Sequence, residues 1–298
     1  MPRTLVRKLS APYIAGESLG QALATVRRLS AGGMTTTLDV LGEAISHRSE
    51  AEATRDQYLA ALDQLAGLGV PALVNVSVML TALGLAIDDR LAYDNTLAIV
   101  QRAGELGGFV HIDMEDSPYT DATLDLYRTL RRKGHDNIGV VVQAYLKRSR
   151  ADVEALCALG VRVRVVKGIY IEPESIAYRD MRVINRNFVA LCRQLAEARC
   201  HLAIATHDEV LVYETQRIIE DLAVSADRYE YQMLLGVREE LRDDLLARQH
   251  PMRVYVPYGA KWYEYSLRRL RENPRVAGQV AAGIMGNMRA SFSRNGRR

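Results

Sequence analysis

The chain has 298 residues, of which 48% are hydrophobic and 25% charged, an ordinary globular balance with ample apolar surface for one core. This length suits a single α/β barrel, which typically needs about 250 residues. The formal net charge of +3 is close to neutral for this size, and it excludes an electrostatic case for a nucleic-acid-binding protein.

The N-terminal region, residues 1–30, is predicted to form one or two helices before the first strand. Arg7, Lys8 and Glu17 interrupt any secretory apolar segment there, and the three cysteines form no CxxC pair, so we expect a cytoplasmic protein with buried thiols. Both chain ends are basic and are interpreted as solvated, with 290–298 as a flexible tail. A weak peripheral contact with the anionic inner face of a membrane is the alternative.

Short apolar runs rich in β-branched residues alternate with longer amphipathic stretches along the rest of the chain. The runs are Met34–Leu41, Ala72–Leu80, Phe109–Met114, Ile138–Tyr145, Val161–Val166, Leu202–Thr206, Tyr229–Leu235 and Arg253–Val256. This rhythm predicts an α/β protein with a parallel sheet and outer helices. Eight such units favour a closed (βα)8 TIM-like barrel over an open doubly wound sheet, with 1–298 as one domain.

Two stretches need separate interpretation. The run Val70–Ile87 carries no charge, but it contains Pro71 and Asn75 within the strand–helix rhythm, so it predicts a buried strand plus loop instead of a membrane span. Residues 260–290 are predicted to form further helices after the last strand, interrupted at Asn273 and Pro274.

Functional side chains of such barrels lie at the C-terminal ends of the strands. Asp113 ends an apolar strand, where an unpaired carboxylate is costly, and Arg164 is its candidate partner. A metal site is the less favoured alternative, because the alternation of His111, Asp113 and Glu115 puts all three on one strand face. The other strand ends carry Met79, Gln143, Lys167, Thr206, His207, Gln232 and Tyr255.

Two segments suggest ligand contacts. In RVRVVKGIY, Gly168 lets the backbone approach a ligand closely, and the neighbouring Arg and Lys suit an anion or an electron-rich ring. In the C-terminal segment, Glu272 lies within four positions of Arg268 and Arg269 and can brace both. With Tyr255, Trp262 and several more tyrosines nearby, this pair predicts a carboxylate clamp, and a surface helix with ordinary ion pairs is the alternative.

These segments carry a family resemblance. The stretches IDMEDS, VVQAY, VRVVKGIY, ATHDE, EYQMLLG and RVYVPYGAKWYEYSLRRLRE stand in an order and spacing that resemble the proline dehydrogenase family, monofunctional bacterial type, from about Met34 to Glu272. The resemblance implies a distorted (βα)8 barrel with FAD at the C-terminal strand ends and a last helix over the barrel mouth. It also implies oxidation of L-proline to Δ1-pyrroline-5-carboxylate by hydride transfer to flavin N5, with electrons passed to a quinone.

The resemblance implies a role for each site residue. Arg164 would lie against flavin N5 and Asp113 would organise the pocket floor, so both are assigned to catalysis. The residues that would line the cofactor are Met114, Gln143, Arg164, Val166, Lys167, Gly168, Thr206, His207, Gln232 and Glu272. The residues that would bind substrate are Arg268 and Arg269 at the carboxylate, Tyr255, Tyr265, Tyr170 and Leu234 around the ring, and Met79 at the position that helps to bind the carboxylate in the family.

One position departs from the family pattern. The family's second strand carries Ser-x-Lys-Leu, but here Met79 stands in place of the Lys, and no Lys occurs between Lys8 and Lys133. Losing one charge-assisted contact weakens carboxylate binding by about 1.5–3 kcal/mol. Three functions therefore stay open: oxidation of L-proline, the same flavin chemistry on a proline analogue or modified proline, and a flavin-free barrel that binds a carboxylate ligand.

Overall fold

The computed structural model describes Val6 and residues 10–42, 45–263 and 266–267. The strands are β1 Thr35–Val40, β2 Asn75–Val78, β3 Phe109–Ile112, β4 Ile138–Gln143, β5 Arg162–Val166, β6 His201–Ala205, β7 Tyr229–Leu234 and β8 Met252–Tyr258. They form one closed barrel in chain order. Each strand pairs in parallel with the next, and β8 pairs with β1 over the whole length of β1. The predicted (βα)8 class is confirmed.

Helices connect the strands on the outside of the barrel. They are α1 Leu19–Ala31, α2 Arg48–Ala66, α3 Asp89–Glu105, α4 Thr120–Arg132, α5 Ser149–Cys157, α6 Met181–Glu197, α7 Glu209–Asp221 and α8 Glu239–Ala247. The start of α1 is fixed by a capping box, because Ser18 accepts a hydrogen bond from Gln21 N and the Gln21 side chain accepts one in return. This helix confirms the expected helical structure before β1.

The uncharged run around β2 is a strand flanked by two short turns. Pro71–Leu73 and Thr81–Leu83 form single 3-10 turns on either side of β2. The strand is therefore shorter than expected, because Pro71 lacks a backbone N–H and begins the first turn. Within the part of the chain that the structure describes, every helix is too short or too polar to span a bilayer.

The two faces of the barrel wall carry different kinds of side chain, apolar on the outer face and polar on the inner face. Side chains alternate along each strand, so Val76, Val110 and Val163 point towards the helices and are completely buried in the apolar core. The opposite, inner face carries polar groups such as Ser77 and Arg164. The hydrophobic core thus lies between wall and helices, while the barrel interior is polar towards the mouth.

Most of the predicted C-terminal helical region lies outside the described residues. This applies to Arg268, Arg269, Glu272 and Tyr265, to the Asn273–Pro274 interruption, and to the tail 290–298.

Candidate active site

Arg164 on β5 is the centre of the polar cluster inside the barrel. Only 4% of its side chain is exposed. Its Nε donates a hydrogen bond of 2.6 Å to Gln232 Oε1 on β7. Its Nη1 donates to Asp113 Oδ1 at 2.6 Å and to Ser77 Oγ at 2.9 Å. The expected pairing of Arg164 with Asp113 is confirmed, and three groups, on β2, after β3 and on β7, converge on one guanidinium.

Asp113 connects the guanidinium of Arg164 to Tyr255 on β8. Its Oδ2 accepts a hydrogen bond of 2.9 Å from the hydroxyl of Tyr255 on β8. The Tyr255 ring centroid lies 5.4 Å from the guanidinium carbon of Arg164, within range of a cation–π contact. Asp113 therefore receives hydrogen bonds at both oxygens, which fixes the carboxylate and with it the plane of Arg164.

Two buried polar atoms at the site have no hydrogen-bond partner among the described residues. They are Nη2 of Arg164, a donor, and Oε1 of Gln143, an acceptor. The amide nitrogen of Gln143 is engaged, because it donates to the carbonyls of Met114 and Glu115 at 2.9 Å each. An unsatisfied buried group costs about 1–3 kcal/mol, so a ligand that carries both an acceptor and a donor would relieve two such costs.

The loop after β5 contains a glycine that packs against Tyr145, two residues after Gln143. Gly168 has φ +107°, and a Cβ at this position would overlap the ring of Tyr145. The loop is held against β4 by hydrogen bonds of 2.8 Å from Ala144 N to Val166 O and from Tyr145 N to Lys167 O. Any larger residue would have to displace Tyr145, so this position needs glycine.

The end of β6 offers groups suited to an anion. Asp208 caps α7 by accepting from Val210 N, and it forms an ion pair of 2.6 Å with Lys167. His207 Nε2 accepts from Leu234 N at 2.9 Å. Burial, with smaller contributions from Arg238 and Lys167, lowers the pKa of His207 to about 4. The ring is therefore neutral at pH 7, and its Nδ1 carries the proton and can donate it.

Comparison with known proteins shows the family of this chain. The model of the proline dehydrogenase family matches residues 22–282. This chain belongs to the proline dehydrogenase family. The proline dehydrogenase of Deinococcus radiodurans is 34% identical over 289 residues, which cover 96% of this chain and 93% of that protein. Proline dehydrogenase 1 of Bacillus subtilis strain 168 is 33% identical over 273 residues, or 92% of this chain and 89% of the relative.

Solved structures agree with the barrel fold. Proline utilization A (PutA) from Bdellovibrio bacteriovorus, inactivated by N-propargylglycine, superposes with a TM-score of 0.83 at 25% identity. The match covers 90% of this chain and 33% of that protein, so this chain spans a third of its length. Proline dehydrogenases use FAD and oxidise proline to Δ1-pyrroline-5-carboxylate.

The residues of this proline dehydrogenase fit FAD. The isoalloxazine ring carries both hydrogen-bond acceptors and a donor, which matches the partnerless Nη2 of Arg164 and Oε1 of Gln143. Thr206 is buried at the end of β6, and its Oγ1 accepts from Asp208 N at 3.1 Å. Its position beside neutral His207 suits the diphosphate or ribose part of the cofactor.

Three of the expected cofactor residues have contacts that the sequence did not indicate. Lys167 is paired with Asp208. Gln232 has both amide atoms engaged inside the barrel, since its Oε1 accepts from Arg164 and its Nε2 donates to Glu230. The side chain of Met114 packs in the apolar core, and it is the carbonyl of this residue that contacts Gln143.

The remaining expected residues lie around the mouth or just below it. Leu234 is 39% exposed at the end of β7. Tyr170 and Val166 are half-buried in and beside the loop after β5. Met79, directly after β2, is 4% exposed, yet it belongs to no apolar cluster of the described core. Its place one position after β2, two after Ser77, puts it on the same side of the chain as the inner face of that strand.

The residues of the metal-site alternative have separate partners. Asp113 faces Arg164, and His111 packs edge-on against Phe109 with ring centroids 4.9 Å apart. Glu115 accepts hydrogen bonds from the backbone N–H and the hydroxyl of Thr81. Among the described residues no cluster of three or more His, Cys, Asp or Glu side chains is arranged to hold a metal ion.

The sequence reasoning gave no role to three groups that shape the site. Ser77 holds Arg164 directly. Glu230 and Arg253 form a buried ion pair below the site, with Nε of Arg253 at 2.9 Å from Oε1 of Glu230. A signal was available: Glu230 lies two residues before Gln232 and Arg253 two before Tyr255, so each shares the inner face with an expected site residue.

Proposed function

We propose that this proline dehydrogenase acts on free L-proline, with FAD held across the ends of β4 to β7 and with a quinone as electron acceptor. The observation that carries the proposal is the buried guanidinium of Arg164. It is fixed by Asp113, Ser77 and Gln232, and its Nη2 is left without a partner among the described residues. A cation held this rigidly beside a ring-shaped ligand would stabilise the negative charge that develops on reduction.

The chain's own residues would divide the work as follows. Arg164 and Gln143 would hold the flavin ring, Gly168 would support it from the backbone, and Thr206 with His207 would hold the diphosphate or ribose part. When bound, FAD supplies the two-electron oxidant that accepts a hydride from the carbon beside the substrate nitrogen.

Substrate binding would depend on charge. Arg268 and Arg269 would bind the carboxylate, and Tyr255 with Leu234 would pack against the ring. The guanidinium of Arg164 would also disfavour a protonated substrate amine, because like charges raise the cost of the charged form. The amine would therefore bind in its neutral form or lose its proton in the pocket. Its lone pair would then be available to assist the departure of the hydride.

A second candidate, oxidation of a modified proline, is favoured by one observation. Met79 is buried and lies outside the apolar clusters of the described residues, and the sequence resemblance implies a cationic Lys at this position in the family. A thioether offers nothing to a carboxylate but packs well against an alkyl group. A proline whose carboxylate is esterified or amidated would lose less at this position than free L-proline.

The test compares these substrates on the purified holoenzyme. Under anaerobic conditions, L-proline should bleach the flavin absorbance of the yellow protein, and proline methyl ester or prolinamide should do so far more slowly. The Arg164→Met variant should lose most of this activity. Faster bleaching by the ester than by L-proline would move the assignment to the modified substrate. Protein that neither contains FAD nor binds added FAD would refute the cofactor assignment and leave the carboxylate-binding barrel.

The electron acceptor needs its own assay. A water-soluble quinone should support continuous turnover with L-proline, whereas oxygen alone should support little. Sedimentation with vesicles that contain anionic lipid should increase at low salt if the basic chain ends contact a membrane surface. Absence of quinone reduction by an enzyme that L-proline bleaches would contradict the acceptor assignment alone.

A further inference from the structure

The ion pair between Glu230 and Arg253 lies inside the barrel, beneath the groups that surround Arg164. Both residues are buried, with 8% and 7% of their surfaces exposed. Arg253 Nε contacts both carboxylate oxygens of Glu230, at 2.9 and 3.0 Å, and its Nη1 donates to the carbonyl of Thr36 at 2.7 Å. The pair is thus fixed to strands β1, β7 and β8 and is largely shielded from solvent.

The Glu230 carboxylate has one further partner, and this partner leads to the site. Gln232 Nε2 donates a hydrogen bond of 2.5 Å to Glu230 Oε1. The other end of the same amide, Oε1, accepts from Arg164 Nε at 2.6 Å. A continuous chain of hydrogen bonds therefore runs from Arg253 through Glu230 and Gln232 to Arg164.

The direction of this chain is set at both ends, by the guanidinium of Arg164, which only donates, and by the charge of Glu230. A side-chain amide can occupy the same position in two orientations, related by a half-turn that exchanges its oxygen and its nitrogen. Turned over, the Gln232 amide would present its NH2 to Arg164 Nε, donor against donor, and its oxygen to the Glu230 carboxylate, acceptor against acceptor. An ionised carboxylate only accepts, so it permits one orientation. Burial raises the pKa of Glu230, but attraction and hydrogen bonds from Arg253 outweigh it and hold the pKa below its usual value.

We infer that Glu230 and Arg253 are positioning residues for Arg164: they set the orientation of the Gln232 amide, which then holds the guanidinium so that Nη2 stays directed at the bound ligand. This inference rests on the proposed role of Arg164 beside the flavin. Neither residue touches the substrate or the reacting atoms. They would act on Arg164 only through hydrogen bonds. A Gln in place of Glu230 tests this, because Gln has nearly the same shape as Glu but its amide nitrogen donates hydrogen bonds.

The central variant is Glu230→Gln. It preserves volume but replaces the ionised acceptor of Gln232 Nε2 with a neutral amide, so the acceptor that Gln232 offers to Arg164 is held less firmly, a loss of about one charge-assisted hydrogen bond. We expect the rate constant of flavin reduction at saturating L-proline to fall about tenfold and the dissociation constant for FAD to rise by a similar factor. The KM for L-proline should change less than twofold. The flavin midpoint potential should become more negative, because the cation is held less firmly.

A second variant removes the risk of an unpaired buried charge. Glu230→Gln leaves Arg253 without its counter-ion and can prevent folding. The double variant Glu230→Gln/Arg253→Met carries no net buried charge, and circular dichroism and thermal unfolding will show whether it folds. It should share the shifts in potential and FAD affinity. Asp63→Asn is the matched control, since it removes an arginine-paired carboxylate from the outer helices and should change neither quantity.

A double-mutant cycle with Gln232→Leu separates positioning from general stability. Once Gln232 is removed, the Glu230 substitution should have no further effect on the flavin potential, so the two effects are strongly non-additive. Additive effects, or a folded Glu230 variant with wild-type potential and FAD affinity, would overturn the inference. If Arg164→Met also leaves the potential unchanged, the proposed site itself fails; if only the Arg164 variant shifts it, the positioning role fails alone.

Discussion

The substitution Asp113→Asn tests the site through its best-defined contact. In the native protein, Asp113 pairs with Arg164 at 2.6 Å, and the two side chains are 15% and 4% exposed. The asparagine keeps an oxygen that can accept from Arg164, but it cannot neutralise the guanidinium. The donor stays ionised, so the bond to asparagine remains charge-assisted, but it loses the negative acceptor and we expect it to be weaker by about 1 kcal/mol.

The unpaired cation adds to this cost. Breaking a buried pair by removing one partner costs about 3–5 kcal/mol. Asp113 is close to the mouth, and partial exposure lets water compensate, so we expect a loss near the lower end, about 3 kcal/mol. Urea denaturation of the variant and of the exposed control Asp221→Asn, which removes the partner of Arg193 on the surface, measures this difference.

Activity supplies the second part of the test. A guanidinium that is no longer fixed should lower the rate of flavin reduction by L-proline at least tenfold in stopped-flow experiments on the FAD-loaded variant. Wild-type stability together with a wild-type reduction rate would refute the reasoning, because it would mean that Arg164 is held by its other contacts.

Three further predictions use other parts of the site. Met79→Lys should lower the KM for L-proline several-fold in steady-state assays, because it restores a carboxylate contact of about 1 kcal/mol. Gly168→Ala should abolish FAD binding, measured as the flavin-to-protein ratio, since its Cβ would overlap Tyr145; Gly134→Ala, also at positive φ but with open space around it, is the control. Burial raises the pKa of Glu115 to about 7. The folded state thus binds the Glu115 proton more tightly than the unfolded state does. The resulting stabilisation of the folded state is complete below about pH 4.5 and disappears as pH rises through 7. Glu115→Gln should therefore gain stability over the wild type across this range, by about 2–3 kcal/mol in denaturation curves.

Each of these has a clear contrary result. A higher KM in Met79→Lys would mean that this position does not face the carboxylate. Stoichiometric FAD in Gly168→Ala would show that the loop can move away from Tyr145. A stability difference for Glu115→Gln that stays constant between about pH 4.5 and 7 would show that Glu115 ionises normally.

The alternation of apolar runs and amphipathic stretches was sufficient to predict the barrel. All eight predicted runs overlap a strand, because parallel strands covered by helices need apolar, β-branched residues over most of their length. The pairing of Asp113 with Arg164 was also predictable. A carboxylate at the end of a buried strand needs a partner, and few cations follow strands in this chain.

Only the tertiary structure decided which polar groups meet inside the barrel. Arg164 and Gln232 are separated by 68 positions in the chain, and Asp113 and Tyr255 by 142. The register between strands sets such contacts, and a shift of one residue would turn each of these side chains to the other face. The engagement of Lys167 by Asp208 and the isolation of Met79 from the apolar core depend on the same long-range geometry. The sequence determined which residues form the wall and its inner face, because those follow from local periodicity. The hydrogen bonds between opposite strands depend on closure of the barrel, which no local pattern encodes.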